Sequence, residues 1–252
     1  MPFRFFRFAD HFGLTSSDSG FDELYDLDGS GAVDAFDLAW VANDLVSARE
    51  FGELATRVMA EKFESPSDQS VYYLMVGSST THWFHHMRES SKDYQKAYEI
   101  GARSRNLQYA AYAFGHNMYC SFFQATPLDV MTRETEQSLV FSRSRLNHWA
   151  IDLLEGGLRV FRELAGEAAG QADEQAYLDQ VAGHGNIQVQ CIYQVLKASA
   201  CLVEGDCGQA LVHSEQAQEL IHTVGTQGLL PWPEHVFARF MILTGLYPSA
   251  DR

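Results

Sequence analysis

The stretch IQVQCIYQVLKASACLVE at 187–204, followed by Gly205-Asp206 and then CGQALVHSEQAQELIHT at 207–223, decides how the chain is read. Apolar residues in both runs recur at a helical period, and the two residues between them leave room only for a tight reversal. The stretch therefore predicts two helices folded back on each other. Ala198, Ala210 and Ala217 stand where two such helices need to approach closely. An ordinary helical hairpin and a helical repeat both need small residues there.

Working outward, the same period runs from Ala48 to the end of the sequence. Short breakers interrupt it: Ser65-Pro66-Ser67-Asp68, Thr126-Pro127, Gly166 to Gly170, Gly183-His184-Gly185, Gly205-Asp206 and Pro231-Trp232-Pro233. Strand-like alternation is nearly absent. The expected class is all-α, with a calcium-loop helical segment over 1–47 and an array of α-α hairpins over 48–252. The spacing of the 187–223 pair resembles a tetratricopeptide repeat, with Gln194 and Ser214 standing where that repeat has bulkier residues.

Longer blocks extend the resemblance. His82 to Ser90, Ala97 to Gly101, Asn106 to Ala113, Ser121 to Phe123, Pro127-Leu128, Lys197 to Asp206 and the 233–240 helix form a series. As a series they are similar to the helical-repeat region of large bacterial signalling proteins, the predicted-ATPase and multi-sensor kinases, over about residues 70 to 248. The resemblance implies a scaffold for protein contacts. A GxxxxGK[ST] phosphate loop, an HRD-type catalytic loop and a DFG motif do not occur in the sequence.

The formal charge of -15 disfavours phosphate backbones and anionic membranes as partners, so nucleic acid is not expected. Nine acids against Arg4 and Arg7 put -7 of it in residues 1–46, and the other 206 residues carry -8. This acid-rich segment also repeats itself. Phe3 to Phe12 aligns with Phe36 to Leu45 at an offset of 33, as two amphipathic helices would.

Between those two stretches lies Asp26-Leu27-Asp28-Gly29-Ser30-Gly31-Ala32-Val33-Asp34-Ala35-Phe36-Asp37. Side-chain oxygens fall at loop positions 1, 3, 5, 9 and 12, a glycine at the sharp turn of position 6, and an apolar anchor at position 8. This is the spacing a Ca²⁺ loop needs, because a hard cation takes six to eight oxygen ligands and relieves the repulsion among the carboxylates. An acidic turn without metal is the alternative. Position 12 is Asp37 where Glu is usual, and the breaker cluster Ser16 to Gly20 leaves no room for a full entering helix. The loop with its following helix resembles the calcium-binding repeat of dockerin modules. That resemblance implies Asp26, Asp28, Ser30, Asp34 and Asp37 as side-chain ligands and Ala32 as the carbonyl ligand. Dockerins carry two such loops; here one is complete.

His82, His85 and His86 form an HxxHH cluster, of which His82 and His86 would share a helix face and could hold a transition metal. Cys120, Ser121 and His116 lie close in sequence but outside any nucleophile elbow. The Glu134/Glu136 and Asp173/Glu174 pairs read as solvated helix faces, and Tyr109, Tyr112 and Tyr119 as a packing stripe. The four cysteines form no CxxC and read as reduced thiols. No run is long and apolar enough to span a bilayer. The expectation is a calcium-binding, non-catalytic interaction or scaffold module with an unidentified protein partner, placed in the cytoplasm unless an export signal precedes the sequence. The alternatives are a detached regulatory fragment of a signalling ATPase or kinase, and a hydrolase of unknown substrate.

Overall fold

The computed structural model describes residues 45–62, 65–167, 171–224 and 228–247. Among the described residues the regular structure is helical and no strand occurs. Helix α1 (Leu45–Lys62) runs unbroken through residue 48. It is followed by α2 (Pro66–Val76), a π-helical turn (Gly77–Thr81) and the single turn α3 (His82–Phe84). Then come α4 (Arg88–Ser104), α5 (Leu107–Phe123), α6 (Leu128–Ser144), α7 (His148–Leu164), α8 (Gln171–Gly183), α9 (Ile187–Glu204), α10 (Cys207–Val224) and α11 (Pro231–Leu246).

The turns reveal an order that the breakers only half disclose. Among the described residues, those with positive φ sit at helix ends, in two series: Arg105, Leu146 and Gly185, and Ala125, Gly166 and Gly205. Within each series the intervals are 41 and 39 residues, so the chain repeats with a period near 40 and reverses twice per period. A left-handed residue after a helix lets the next N–H reach back five residues to an otherwise orphaned carbonyl. Five of the six turns make that bond, from Thr126 to Ser121, Asn147 to Ser142, Glu167 to Arg162, Asn186 to Val181 and Asp206 to Cys201, at 2.9–3.3 Å.

Asparagine follows the left-handed residue in one series, as Asn106, Asn147 and Asn186. Each ties its turn to the preceding layer. Asn106 Nδ2 donates to Ser67 Oγ at 2.9 Å, and Asn186 Nδ2 to Asp152 Oδ2 at 2.6 Å. Asn147 caps α7 by accepting from the Ala150 amide at 3.0 Å.

Packing follows the same order. Helices α5, α7, α9 and α11 form one row in which each touches the next; α6, α8 and α10 lie between them in sequence, and α4 precedes α5. One continuous apolar cluster runs from Leu74 and Tyr94 through Met118, Leu153, Leu154, Phe161 and Tyr177 to Ile192, Leu196 and Leu230. Each such fully buried side chain contributes about 1.5–3 kcal/mol. Ala198 and Ala210 meet in a smaller cluster with Cys201 and Ile242, while Ala217 packs with Cys191, Val195 and Ile221. The small residues of the 187–223 pair thus stand where the helices close together.

The turn before α11 also reaches back to α3. Trp83 Nε1 on α3 donates to the Gly228 carbonyl at 3.3 Å, and Leu229 and Leu230 beside it are buried. Among the described residues no helix is long and apolar enough to cross a membrane.

Candidate functional site

The predicted calcium ligands Asp26, Asp28, Ser30, Ala32, Asp34 and Asp37 all lie outside the described residues. Among the described residues no group of three His, Cys, Asp or Glu side chains is placed to hold a metal ion.

The HxxHH cluster is split by the backbone. Helix α3 ends at Phe84 and His85 is extended (φ -132°, ψ 164°), so His82 and His86 do not share a helix face. The ring nitrogens of His82 are buried without a hydrogen-bond partner, whereas His86 Nδ1 accepts from the Arg88 amide at 3.2 Å. Burial holds His82 down to about 4, with the nearby Gly77 carbonyl acting weakly in the other direction. The π-turn before it is fixed by α4: Tyr94 donates to the Gly77 carbonyl at 3.0 Å and Thr81 to Asp93 Oδ2 at 2.8 Å.

His116 and Cys120 are equally enclosed. The His116 ring stacks on Trp149, bonds the Tyr119 hydroxyl, and is held at about 3 by burial and then by His82. Cys120 donates to the Met87 carbonyl, and burial pushes its thiol up, away from the thiolate form that attacks. Tyr109 and Tyr112 pack edge to face, and Tyr112 packs the same way on Trp149 across the helix row. None of the four cysteines forms a disulfide.

A polar seam crosses α7 to α11. Lys197 is 5% exposed on α9 and donates to both Glu163 oxygens, at 2.8 and 2.6 Å, with Glu174 Oε1 at 3.8 Å. Burial favours the neutral amine, but the Glu163 hydrogen bonds and the two carboxylates outweigh it and hold Lys197 above its ordinary range. Glu174 therefore does not belong to a solvated face: it also accepts from Tyr193 at 2.8 Å. The seam continues through Gln194, which bonds His213 Nδ1 at 2.7 Å, and Ser214, which accepts from Arg239 Nη1 at 3.1 Å. Those bonds give the buried polar side chains of Gln194 and Ser214 partners within the stack.

A charged groove of about 660 Å³ lies between α6 and α7. Two of its walls are stripes at the same helical spacing, Glu136, Val140 and Arg143 on α6 and Glu155, Arg159 and Arg162 on α7, and Glu167 and Asp173 line it beyond the end of α7. The stripes face each other in opposite directions, so opposite charges meet at both ends. Arg143 pairs with Glu155 at 2.8 Å and Arg162 with Glu136 at 3.0 Å. Between them Val140 is 69% exposed, and Arg159 lies over the Tyr177 ring at 5.1 Å. Among the described residues no carboxylate forms an ion pair with Arg159. Sequence reading passed over these residues because each stripe alone is an ordinary solvated face; the signal was the matching i, i+4, i+7 pattern in two consecutive helices. A second, smaller cleft of about 400 Å³ lies at the ends of α5 and α7, between Gln108, Tyr112, Leu146 and Trp149.

No family model, curated protein or solved structure matches the chain.

Proposed function

We propose that the chain is a calcium-binding, non-catalytic interaction module, in which the helical stack presents a docking surface and the acidic loop at 26–37 takes up Ca²⁺. The α6–α7 groove carries the interaction part of this reading. Its ends are closed by internal ion pairs, while its middle offers an exposed Val140 and an Arg159 with no ion pair. An acidic side chain flanked by an apolar one, on a protein partner, fits that middle: guanidinium–carboxylate bonding fixes the position and Val140 supplies apolar area. The loop spacing supports the calcium part, with Asp26, Asp28, Ser30, Asp34 and Asp37 as side-chain ligands and Ala32 contributing its carbonyl.

Two measurements on the full chain test the two parts separately. Calorimetry with Ca²⁺ is expected to give binding heat for the native protein and none for Asp26→Ala; no heat from the native protein removes the calcium part. A photo-crosslinking residue at position 140 is expected to capture a protein partner, with capture lost on Arg159→Glu at unchanged helicity. Capture indifferent to Arg159 removes the groove.

A second reading, a regulatory piece of a signalling ATPase or kinase, is favoured by the series of blocks from His82 to Phe240 that resembles the helical region of such proteins. It requires the captured partner to be the ATPase or kinase module itself.

A further inference from the structure

Helix α11 has two apolar sides, and the stack uses one of them. Pro231, His235, Ala238 and Ile242 are buried against α9 and α10. Val236, Phe237, Phe240, Met241, Leu243 and Tyr247 are exposed. At about 100° per residue these six occupy one arc of about 160°, roughly opposite the buried set. Phe237 is 62%, Phe240 64% and Tyr247 71% exposed. A helix that is apolar all round is normally covered all round.

We infer that this outer face of α11 is a self-association surface, covered in solution by the same face of a second copy of the chain related by a two-fold axis.

Three observations select that occupant. The first is electrostatic. Two copies of a chain of formal charge -15 repel over most of their surfaces, and α11 is where they can meet without cost. Its only charged residues are Glu234 and Arg239, and both are half-buried; Arg239 is turned inward to Ser214. Thr244, within the arc, donates to the Phe240 carbonyl at 2.8 Å, so covering it strands no donor.

The second is area. With aromatic side chains of about 150–250 Å² each, the exposed parts of these six residues amount to on the order of 700 Å². That is close to the roughly 800 Å² each partner contributes to a stable interface.

The third is continuity of the stack. Each of α5, α7 and α9 is covered by the next helix of its row, and α11 is the last described member. A second α11 laid against it adds the missing neighbour in the same kind of helix–helix contact.

Sedimentation velocity of the full chain at about 10–100 μM tests the inference, since an interface of this size has micromolar or tighter affinity. The expected species has twice the 28.3 kDa of the monomer, and added salt favours it by screening the acidic surfaces. Phe240→Glu, and separately Tyr247→Glu, are expected to give monomer with unchanged far-ultraviolet circular dichroism. Val140→Glu, on the exposed middle of the α6–α7 groove, is expected to leave the dimer intact. A native chain that stays monomeric over the whole range, or a dimer that survives both α11 substitutions, overturns the inference. Neither result bears on the groove or the calcium loop.

Discussion

Leu146 holds φ at 54° with its side chain 76% exposed, and Ala125 sits at 55°. Left-handed backbone costs an L-residue about 1–2 kcal/mol, because Cβ crowds the following carbonyl oxygen, whereas glycine adopts it freely. The equivalent turns at 166, 185 and 205 already carry glycine. Leu146→Gly is therefore expected to stabilise the fold by about 0.5–1 kcal/mol after glycine's own entropy cost. A higher urea midpoint at unchanged slope checks it. A lower midpoint would mean that the side chain of Leu146, in the cleft with Trp149, contributes more than its exposure suggests. The same residues explain what the sequence reading missed. Turns rich in glycine or proline were visible as breakers, but those at Arg105-Asn106 and Arg145-Leu146-Asn147 hide their left-handed residue behind an ordinary side chain. Two of the six reversals therefore left no compositional mark.

At the level of the helix, α7 is shaped by Gly156-Gly157 in its middle. A Cβ at Gly156 would overlap the Tyr177 hydroxyl, and one at Gly157 would overlap Met118 Sδ. These glycines let α8 and α5 close on α7, and Tyr177 uses the approach to donate to the Asp152 carbonyl at 2.9 Å. Gly156→Ala is expected to cost about 1–3 kcal/mol through overpacking, despite alanine's better helix propensity. Because the nearest obstacle is the Tyr177 hydroxyl, with Tyr177 Cζ and Tyr193 Cδ2 at 3.1 Å behind it, Tyr177→Phe in the same chain is expected to recover part of that loss. A double-mutant cycle in which the two costs simply add would place the strain elsewhere. Helix existence was legible from the apolar period, and the 187–223 pair emerged as read. The break between α3 and α4 was not, since nothing at His85 signals extended backbone. The groove stripes were also hidden, because facing helices must be known before two solvated faces become one site.

Across the whole molecule, three buried histidines set the response to acid. Burial holds His82 and His235 at about 4 and His116 at about 3, against 6.5 in an unfolded chain. Between those values the unfolded state binds more protons, so stability falls as pH drops below about 6.5, each group approaching about 1.4 kcal/mol per pH unit. Asp93 and Glu234 work in the opposite sense. Burial raises both carboxyls, so between the ordinary carboxyl range and their raised folded values the folded state holds protons that the unfolded state has released. The urea midpoint is therefore expected to fall from pH 7 to pH 5, where the histidines dominate. A midpoint unchanged between pH 7 and 5 would show that these rings are charged, or solvated, in the folded chain.

The near-forty-residue cadence also bears on how the chain would give way under load. Stacked units that touch mainly their neighbours peel in steps, so a pull on the two ends would release roughly 40 residues at a time. The bond from Trp83 to Gly228 alters the order of events. It fastens α3 to the turn before α11, across nearly the whole stack, and α11 cannot swing away until that bond and the buried Leu229-Leu230 beside it let go. The first step should therefore be the hardest, and the stack should behave as a clasped coil rather than an open spring.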